Sequence, residues 1–249
     1  MKDIKILVAA HKPYPMPKEE IYLPIHAGRA GKEPIGFRGD NTGDNISLDN
    51  PRFCELTAVY WAWKNLDAGY IGLVHYRRYF RGKKKTAARR EDFEELLGHC
   101  DLILPAKRRY YIETIRSHHI HLPYVYEKDL RILEKVIREQ SPEYLSAFHT
   151  VMNRRSAHMF NMFVMKKELF HQYCSWMFPI LQEVDRRIDT AEYTPMERRA
   201  VAYLGEFMLD IWNEKRGIPY AEMRVLFLER ENLLKKGGTL LARKLRGGR

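Results

Sequence analysis

The sequence predicts an α/β fold, a mostly parallel sheet with helices on its faces and a helical C-terminal half. Three observations carry this. Lys5–Ala10 is a continuous apolar run, the pattern of a strand buried on both faces, and it ends in His11-Lys-Pro-Tyr-Pro-Met-Pro17, whose prolines keep the chain out of helix. Strand-like runs and helical periods then alternate through the first half, as in a sheet with crossover helices. From about Lys167 the helical period dominates. With 249 residues, 45% hydrophobic and 12% aromatic, the chain carries enough apolar material for a sizeable core, which excludes disorder as its main theme.

Residues 18–50 show no sustained period and are rich in Gly, Asn and Asp, above all Gly39-Asp-Asn-Thr-Gly-Asp-Asn-Ile-Ser47, so they read as a long structured loop. Asn50 as N-cap and Pro51 at N1 then open a helix with Phe53, Leu56, Val59, Tyr60 and Trp63 along one face. Trp61 and Trp63 read as packing residues. Tyr70–Val74 is a short strand, followed at once by His75-Tyr-Arg-Arg-Tyr-Phe80. Asp92–Leu97 is a short helix, and Asp101–Leu104 a buried strand closed by Pro105. Tyr126–Glu139 and Pro142–Met152 are helices, the second capped by Ser141. Met159–Met165 is an apolar run broken by Asn161, leading into a helix from about Lys167 to Ile188 that Pro179 should kink. Thr194-Pro-Met-Glu197 is a capping box for a helix to about Lys215, ended by Gly217, and Tyr220–Leu228 is a last strand. No repeat or linker interrupts this, so residues 1–228 read as one domain and 229–249 as a basic tail.

The net charge of +11 sits in two places. Residues 77–90 hold eight cations and no acid, and residues 230–249 hold seven cations and one acid, while the rest is slightly acidic. Phosphates, polyanions or acidic lipid are the ligands such patches attract. Three separated cysteines exclude a disulfide framework and a thiolate zinc site, which fits a reducing cytosol. The N-terminal apolar run is too short for a signal peptide and no run reaches a membrane span, so a cytoplasmic protein is expected. Walker, G-x-G-x-x-G, G-x-S-x-G and H-E-x-x-H motifs are all missing.

Ligands of open α/β sheets bind at the carboxyl ends of strands. Three segments are expected there: His11 and Lys12 after the first strand, the loop with Asp40, Asn41, Gly43, Asp44 and Asn45, and His75–Phe80. Cations, small residues and amide or carboxylate acceptors together suit a nucleoside diphosphate. His118, His119 and His121 lack an acidic or cysteine partner at ligand spacing, which argues against a metal site. Lys107-Arg-Arg-Tyr-Tyr111 is a second basic and aromatic edge, a phosphate contact or simply a rim.

Four blocks, Asp40–Ser47, Cys54–Asn65, Tyr70–Phe80 and Met159–Leu169, resemble the signatures of a domain-of-unknown-function family of bacterial capsular and exopolysaccharide glycosyltransferases. The resemblance runs from about Ile4 to Trp212. It implies a GT-A-like fold, a nucleotide-sugar donor, most simply a UDP-sugar, with galactofuranose among the sugars proposed for relatives, and a growing surface glycan or lipid-linked oligosaccharide as acceptor. GT-A enzymes usually hold the donor diphosphate through a divalent cation on a D-x-D motif. This chain has none, and at the equivalent place stand His75, Arg77 and Arg78. Guanidinium groups bind diphosphate bidentately, so the expectation is metal-independent stabilisation of the leaving group, with the divalent metal left open. The resemblance makes Asn161, with His118, a candidate acceptor contact. An inverting transfer needs a carboxylate base, for which Asp189, Glu197 and Glu206 are candidates, Glu197 being also the capping-box acid. Relatives carry Glu-Arg where this chain has Glu206-Phe207. The tail alternates Leu pairs with cations, which suits an anionic membrane surface at the inner face, or disorder. Two rival readings remain: a nucleic-acid-binding module on residues 77–90 and 107–111, disfavoured by the absence of any such motif, and a non-catalytic membrane-associated scaffold.

Overall fold

The computed structural model describes residues 2–229. Its strands are β1 (Ile4–Ala10), β2 (Tyr22–His26), β3 (Arg38–Gly39), β4 (Tyr70–His75), β5 (Arg78–Phe80), β6 (Leu102–Pro105), β7 (Arg108–Arg109), β8 (Ser156–Ala157), β9 (Phe163–Lys166), β10 (Ala221–Met223) and β11 (Val225–Phe227). Its helices are α1 (Asn50–Phe53), α2 (Leu56–Asn65), α3 (Arg90–Leu96), α4 (Ile115–Ile120), α5 (Glu127–Gln140), α6 (Leu145–Asn153), α7 (Lys167–Arg187), α8 (Ala200–Gly205) and α9 (Met208–Arg216). The main sheet runs β10-β6-β9-β4-β1-β2-β3, with β5 and β11 paired beside the end of β4. β1 lies parallel to β4 and β2, with Leu7 opposite Leu73 and Leu23.

Alternation along the strands fills two cores. From β1, Leu7 and Ala9 pack with Ile71, Leu73 and helices α2 and α5–α9 on one face. Ile4, Ile6, Val8 and Ala10 pack with Val74, Tyr79, Phe80 and Phe93 on the other. Burial on both faces is why β1 reads as an unbroken apolar run.

The mostly parallel sheet carries reversed strands: β9 is antiparallel to both β4 and β6, and β5 is antiparallel to β4. The chain reaches β9 at the carboxyl end of β4, where the His75 ring meets the Phe160 carbonyl, so β9 can only run back. Gly72 permits that pairing. A Cβ there would lie 2.8 Å from the Phe163 carbonyl oxygen and 2.9 Å from Val164. Gly72→Ala is therefore expected to cost about 1–3 kcal/mol through overpacking, read as a lowered midpoint in denaturant unfolding.

The expectation of a long structured loop from 18 to 50 is corrected by β2, which Pro24 disguises. Because β3 pairs only with Ile25 and His26, Pro24 lies at an edge where its missing N–H costs no ladder bond. Asn50 begins α1 rather than capping it, and the expected single helix breaks at Cys54, whose φ is +48°. The expected helix from Thr194 to Lys215 also breaks, into a 3-10 turn at Glu197–Arg199, α8 and α9, with Glu206 and Phe207 between them. The Thr194–Glu197 box itself forms, with the Thr194 N–H donating to Glu197 at 2.7 Å. Pro179 sits inside α7 without ending it. Both helix breaks prove to be where carboxylates enter the site. Residues 230–249, which hold the expected membrane-binding tail, lie outside the described residues. Among the described residues no helix is long and apolar enough to cross a membrane.

Candidate active site

A cleft of about 1540 Å³ opens at the carboxyl ends of β1 and β4. It is walled by the 110–126 segment and by residues 195–207. Its two ends differ in chemistry.

The first end is cationic. His11, directly after β1, lines it together with Lys32, Arg77 and Arg199. Burial, and then the charges of Arg77, Lys12, Arg199 and Lys32, lower the His11 imidazole from its ordinary value. Such a convergence of positive charge on one ring marks a place that favours an anion. Lys12 is exposed and lies over the Tyr76 ring at 5.6 Å, at the rim. Arg77 donates to Glu229 at 2.9 Å, a half-exposed pair. Exposed pairs of this kind are worth about 0–1 kcal/mol, so Glu229 holds Arg77 only weakly.

The second end is built around two carboxylates, Glu55 and Glu206. Each stands at a break between consecutive helices, α1–α2 and α8–α9, which turns it out of the helical packing and into the cleft. A single turn holds both. Phe160 and Asn161 adopt positive φ, +77° and +53°, unusual in non-glycine residues. The Phe160 N–H donates to Glu206, and the Asn161 side-chain amide donates to Glu55 at 2.8 Å. His75 secures the turn, with Nε2 2.5 Å from the Phe160 carbonyl oxygen. Burial, and then the Glu55 charge, push the Glu206 carboxyl up to about 8, against the opposing pull of Arg78, Arg108 and the Phe160 N–H. The Arg78 guanidinium stacks over the Phe160 ring at 4.7 Å.

Between the ends runs an aromatic wall. Tyr124 faces Tyr203 at 4.9 Å and Tyr110 faces His118 at 4.1 Å. His118 and His121 each place Nδ1 2.9 Å from a Glu113 carboxylate oxygen, one on each, which ties α4 to the loop before it. Burial holds the His119 imidazole down at about 3, packed edge-on against Phe207. Among the described residues no three His, Cys, Asp or Glu side chains gather into a metal-binding group.

Of the residues expected from sequence, His11, His75, Arg77, Arg78, His118 and Glu206 line the cleft. Arg77 and Arg78, expected together on the leaving group, are parted: Arg77 faces the cationic end and Arg78 the carboxylates, as successive residues entering a strand must be. Asn161 is buried and its amide is spent on Glu55, so it meets the cleft only through that carboxylate. Asp189 is displaced from the site altogether. It is exposed at the end of α7 and accepts from the Ala191 N–H at 3.0 Å, closing a local turn. Glu197 is taken up by Thr194 and by the Tyr126 hydroxyl.

The loop expected to cradle the donor does not line the cleft. Asp40 is fully buried and accepts from the Gly28 and Arg29 N–H groups and the Ser47 and Thr57 hydroxyls. Four donors occupy its oxygens. Asn45 makes an Asx turn, receiving the Ser47 N–H and donating to the Gly43 carbonyl. Gly43, at φ +59°, lets Asn65 approach, and Asp44 accepts from Tyr60 at 3.2 Å. Asn41 is exposed. The basic run 77–90 is likewise dispersed: Arg77, Lys83, Arg89 and Arg90 engage Glu229, Glu95, Glu19 and the Lys2 carbonyl separately. Lys32, Glu55 and Arg199 line the cleft without having been singled out from sequence, while Arg108 and Tyr110 come from the basic and aromatic run Lys107–Tyr111. Glu55 lay within a recognised block, and Arg199 just past a capping box, but no spacing rule joins either to the strand ends.

The fold has a solved counterpart. The structure titled WbbM bifunctional glycosyltransferase, apo, superposes with a TM-score of 0.86 at 29% identity, covering 92% of this chain. The match covers 46% of that protein, so this chain spans less than half its length. No curated protein matches the sequence. The blocks at Asp40–Ser47, Cys54–Asn65, Tyr70–Phe80 and Met159–Leu169 all lie inside residues 5–217, over which the sequence matches the domain of unknown function DUF4422, and the chain belongs to that family.

Proposed function

We propose that this chain is a glycosyltransferase that moves a sugar from a nucleoside-diphosphate donor, a UDP-sugar, to a hydroxyl of a surface glycan or its lipid-linked precursor. The observation that carries the reading is the convergence of Arg77, Lys12, Arg199 and Lys32 on His11 at the carboxyl end of β1, with the partly buried carboxylates Glu55 and Glu206 in the same cleft. The likeness to a bifunctional glycosyltransferase supports it. In this reading the donor diphosphate lies among the cations and the sugar points toward Glu206. The acceptor lies along the Tyr124 and Tyr203 wall with its hydroxyl beside that carboxylate. Glu206 takes the hydroxyl proton as the oxygen bonds the anomeric carbon. The bond from that carbon to the phosphate oxygen breaks, and the cations carry the charge left on the diphosphate.

Calorimetric titration with UDP at physiological salt, with and without EDTA, tests the donor end. Micromolar affinity that survives EDTA is expected. Arg77→Ala combined with Arg199→Ala should weaken it at least tenfold, since charge-assisted contacts to phosphate contribute about 1.5–3 kcal/mol each. Arg78→Ala should leave it nearly unchanged and slow transfer instead. Binding lost in EDTA would keep the transferase and remove its metal independence, and no binding at all would point to another donor. Turnover is then read against a panel that includes UDP-galactofuranose and UDP-galactopyranose.

A further inference from the structure

The Phe160–Asn161 turn grips two acids where a proton-transfer step requires only one. Its backbone N–H holds Glu206, and its side-chain amide holds Glu55. Both residues pay for this placement with a helix break, and the turn itself is built from two consecutive left-handed, non-glycine residues. Glu55 is the N-cap residue of α2, yet its carboxylate makes no cap hydrogen bond and instead accepts from the Asn161 amide at the cleft. A like charge fixed beside a base raises its affinity for a proton, and a stronger base takes a hydroxyl proton more readily.

We infer that Glu55 is a positioning residue for the transfer step, a fixed negative charge set against Glu206 by Asn161 to strengthen Glu206 as the base that accepts the acceptor's proton. This rests on the reading of Glu206 as base. Glu55 neither receives the proton nor touches the anomeric carbon: the proton leaves the acceptor oxygen for Glu206, and the electrons of the breaking glycosyl–phosphate bond leave with the nucleoside diphosphate. The groups facing Glu206 are few. Glu55 stands between α1 and α2 and raises its proton affinity, while Arg78 on β5 and Arg108 on β7 lower it. The Cys54 thiol and the Tyr110 phenol also feel the Glu206 charge, and both are held neutral by burial near neutral pH, at about 12 each. Glu55 and Arg78 therefore act on one carboxyl with opposite signs, which makes the inference testable by direction.

The experiment is a carbon-13 carboxyl NMR titration of the full chain with labelled glutamate, the Glu206 resonance being assigned by its loss in Glu206→Gln. Glu55→Gln keeps an oxygen for the Asn161 amide and removes the charge. It should move the Glu206 midpoint down by about one pH unit, and Arg78→Gln should move it up. An unmoved midpoint in Glu55→Gln overturns the inference, and so does a shift of the same sign in both variants. This readout needs no substrate, so it stands or falls separately from the transferase reading. Where transfer is measured, the rising limb of kcat/KM against pH should shift with the NMR midpoint. Glu55→Asp, which restores the charge on a shorter stem, should return the limb part of the way, whereas a purely structural role for Glu55 would change the amplitude and leave the limb in place.

Discussion

Glu206→Gln is expected to slow sugar transfer by about 10²- to 10⁴-fold while changing UDP affinity by no more than about twofold. The two effects part because, in the proposed reading, Glu206 serves the acceptor hydroxyl while Arg77, Arg199 and Lys32, which line the same cleft, serve the diphosphate. Glutamine keeps the shape and still accepts the Phe160 N–H, but it cannot take a proton. The fold should not suffer. Burial and the Glu55 charge raise the Glu206 carboxyl from 4.5 to about 8, so its contribution to stability is present below 4.5 and is lost as pH rises through about 8. The amide cannot ionise and escapes that loss. The variant should therefore match the parent in thermal stability near pH 4, exceed it increasingly as pH rises above 4.5, and exceed it most near pH 9. Release of labelled sugar to acceptor, beside UDP calorimetry and a melting curve at each pH, separates the three readouts. Undiminished transfer in this variant would remove Glu206 from the reaction, and a fall in UDP affinity to match the fall in rate would mean that the carboxylate orders the donor site instead.

The same pH window bears on turnover. A base held at about 8 is mostly protonated at neutral pH, so kcat/KM should climb through that region before levelling. The histidine of the cationic group works in the other direction of charge. Burial and four neighbouring cations favour the neutral form of His11, so in the proposed reading it would meet the diphosphate as a hydrogen-bonding group, with the charge supplied by Arg77, Lys32 and Arg199.

What the sequence made legible follows from how local its signals are. β1 and β4 could be read because burial on both faces writes a continuous apolar run, and Gly217 could be read as a helix stop because its φ of +64° needs a residue without Cβ. That His11, His75, Arg77 and Arg78 line the cleft could be expected because strand ends are where open α/β sheets bind ligands. The carboxylate pair was hidden for the opposite reason. Glu55 and Glu206 lie 151 positions apart, are joined only by the Phe160–Asn161 turn, and owe their exposure to helix breaks that the apolar period of their helices runs straight through. β2 was hidden by Pro24, which reads as a strand breaker unless the edge beside it is known to be open. Asp189 was chosen by its position near the C-terminal helices, and it is the tertiary path of α7 that carries it away.

Asp40→Ala should unfold the protein more readily rather than weaken its grip on nucleotide. A Gly- and Asn-rich loop with an acid reads as a ligand cradle, yet here the ligand of the acid is the chain itself: Gly28, Arg29, Ser47 and Thr57 all donate to it in a fully buried position. These donors come from the segment after β2, from the loop and from α2, so the carboxylate fastens the connection between the edge of the sheet and the helix that follows. Removing it strands two backbone N–H groups and the Ser47 hydroxyl without acceptors, each worth about 1–3 kcal/mol when buried and unsatisfied, while the Thr57 hydroxyl can turn to the Cys54 carbonyl at 3.0 Å. Partial relaxation and entering water reduce the sum, and about 4 kcal/mol is the expected loss, near the upper end for a single substitution. For a chain of this size that lowers Tm by about 10 °C. Asp40→Asn should recover only part of the loss, because an amide presents donors to donors. The decisive comparison is made at low temperature, where the variant is still folded: UDP should bind it as tightly as it binds the parent. A variant of undiminished Tm that has lost UDP would return this loop to the donor site and displace the cationic end of the cleft as the place where the diphosphate is held.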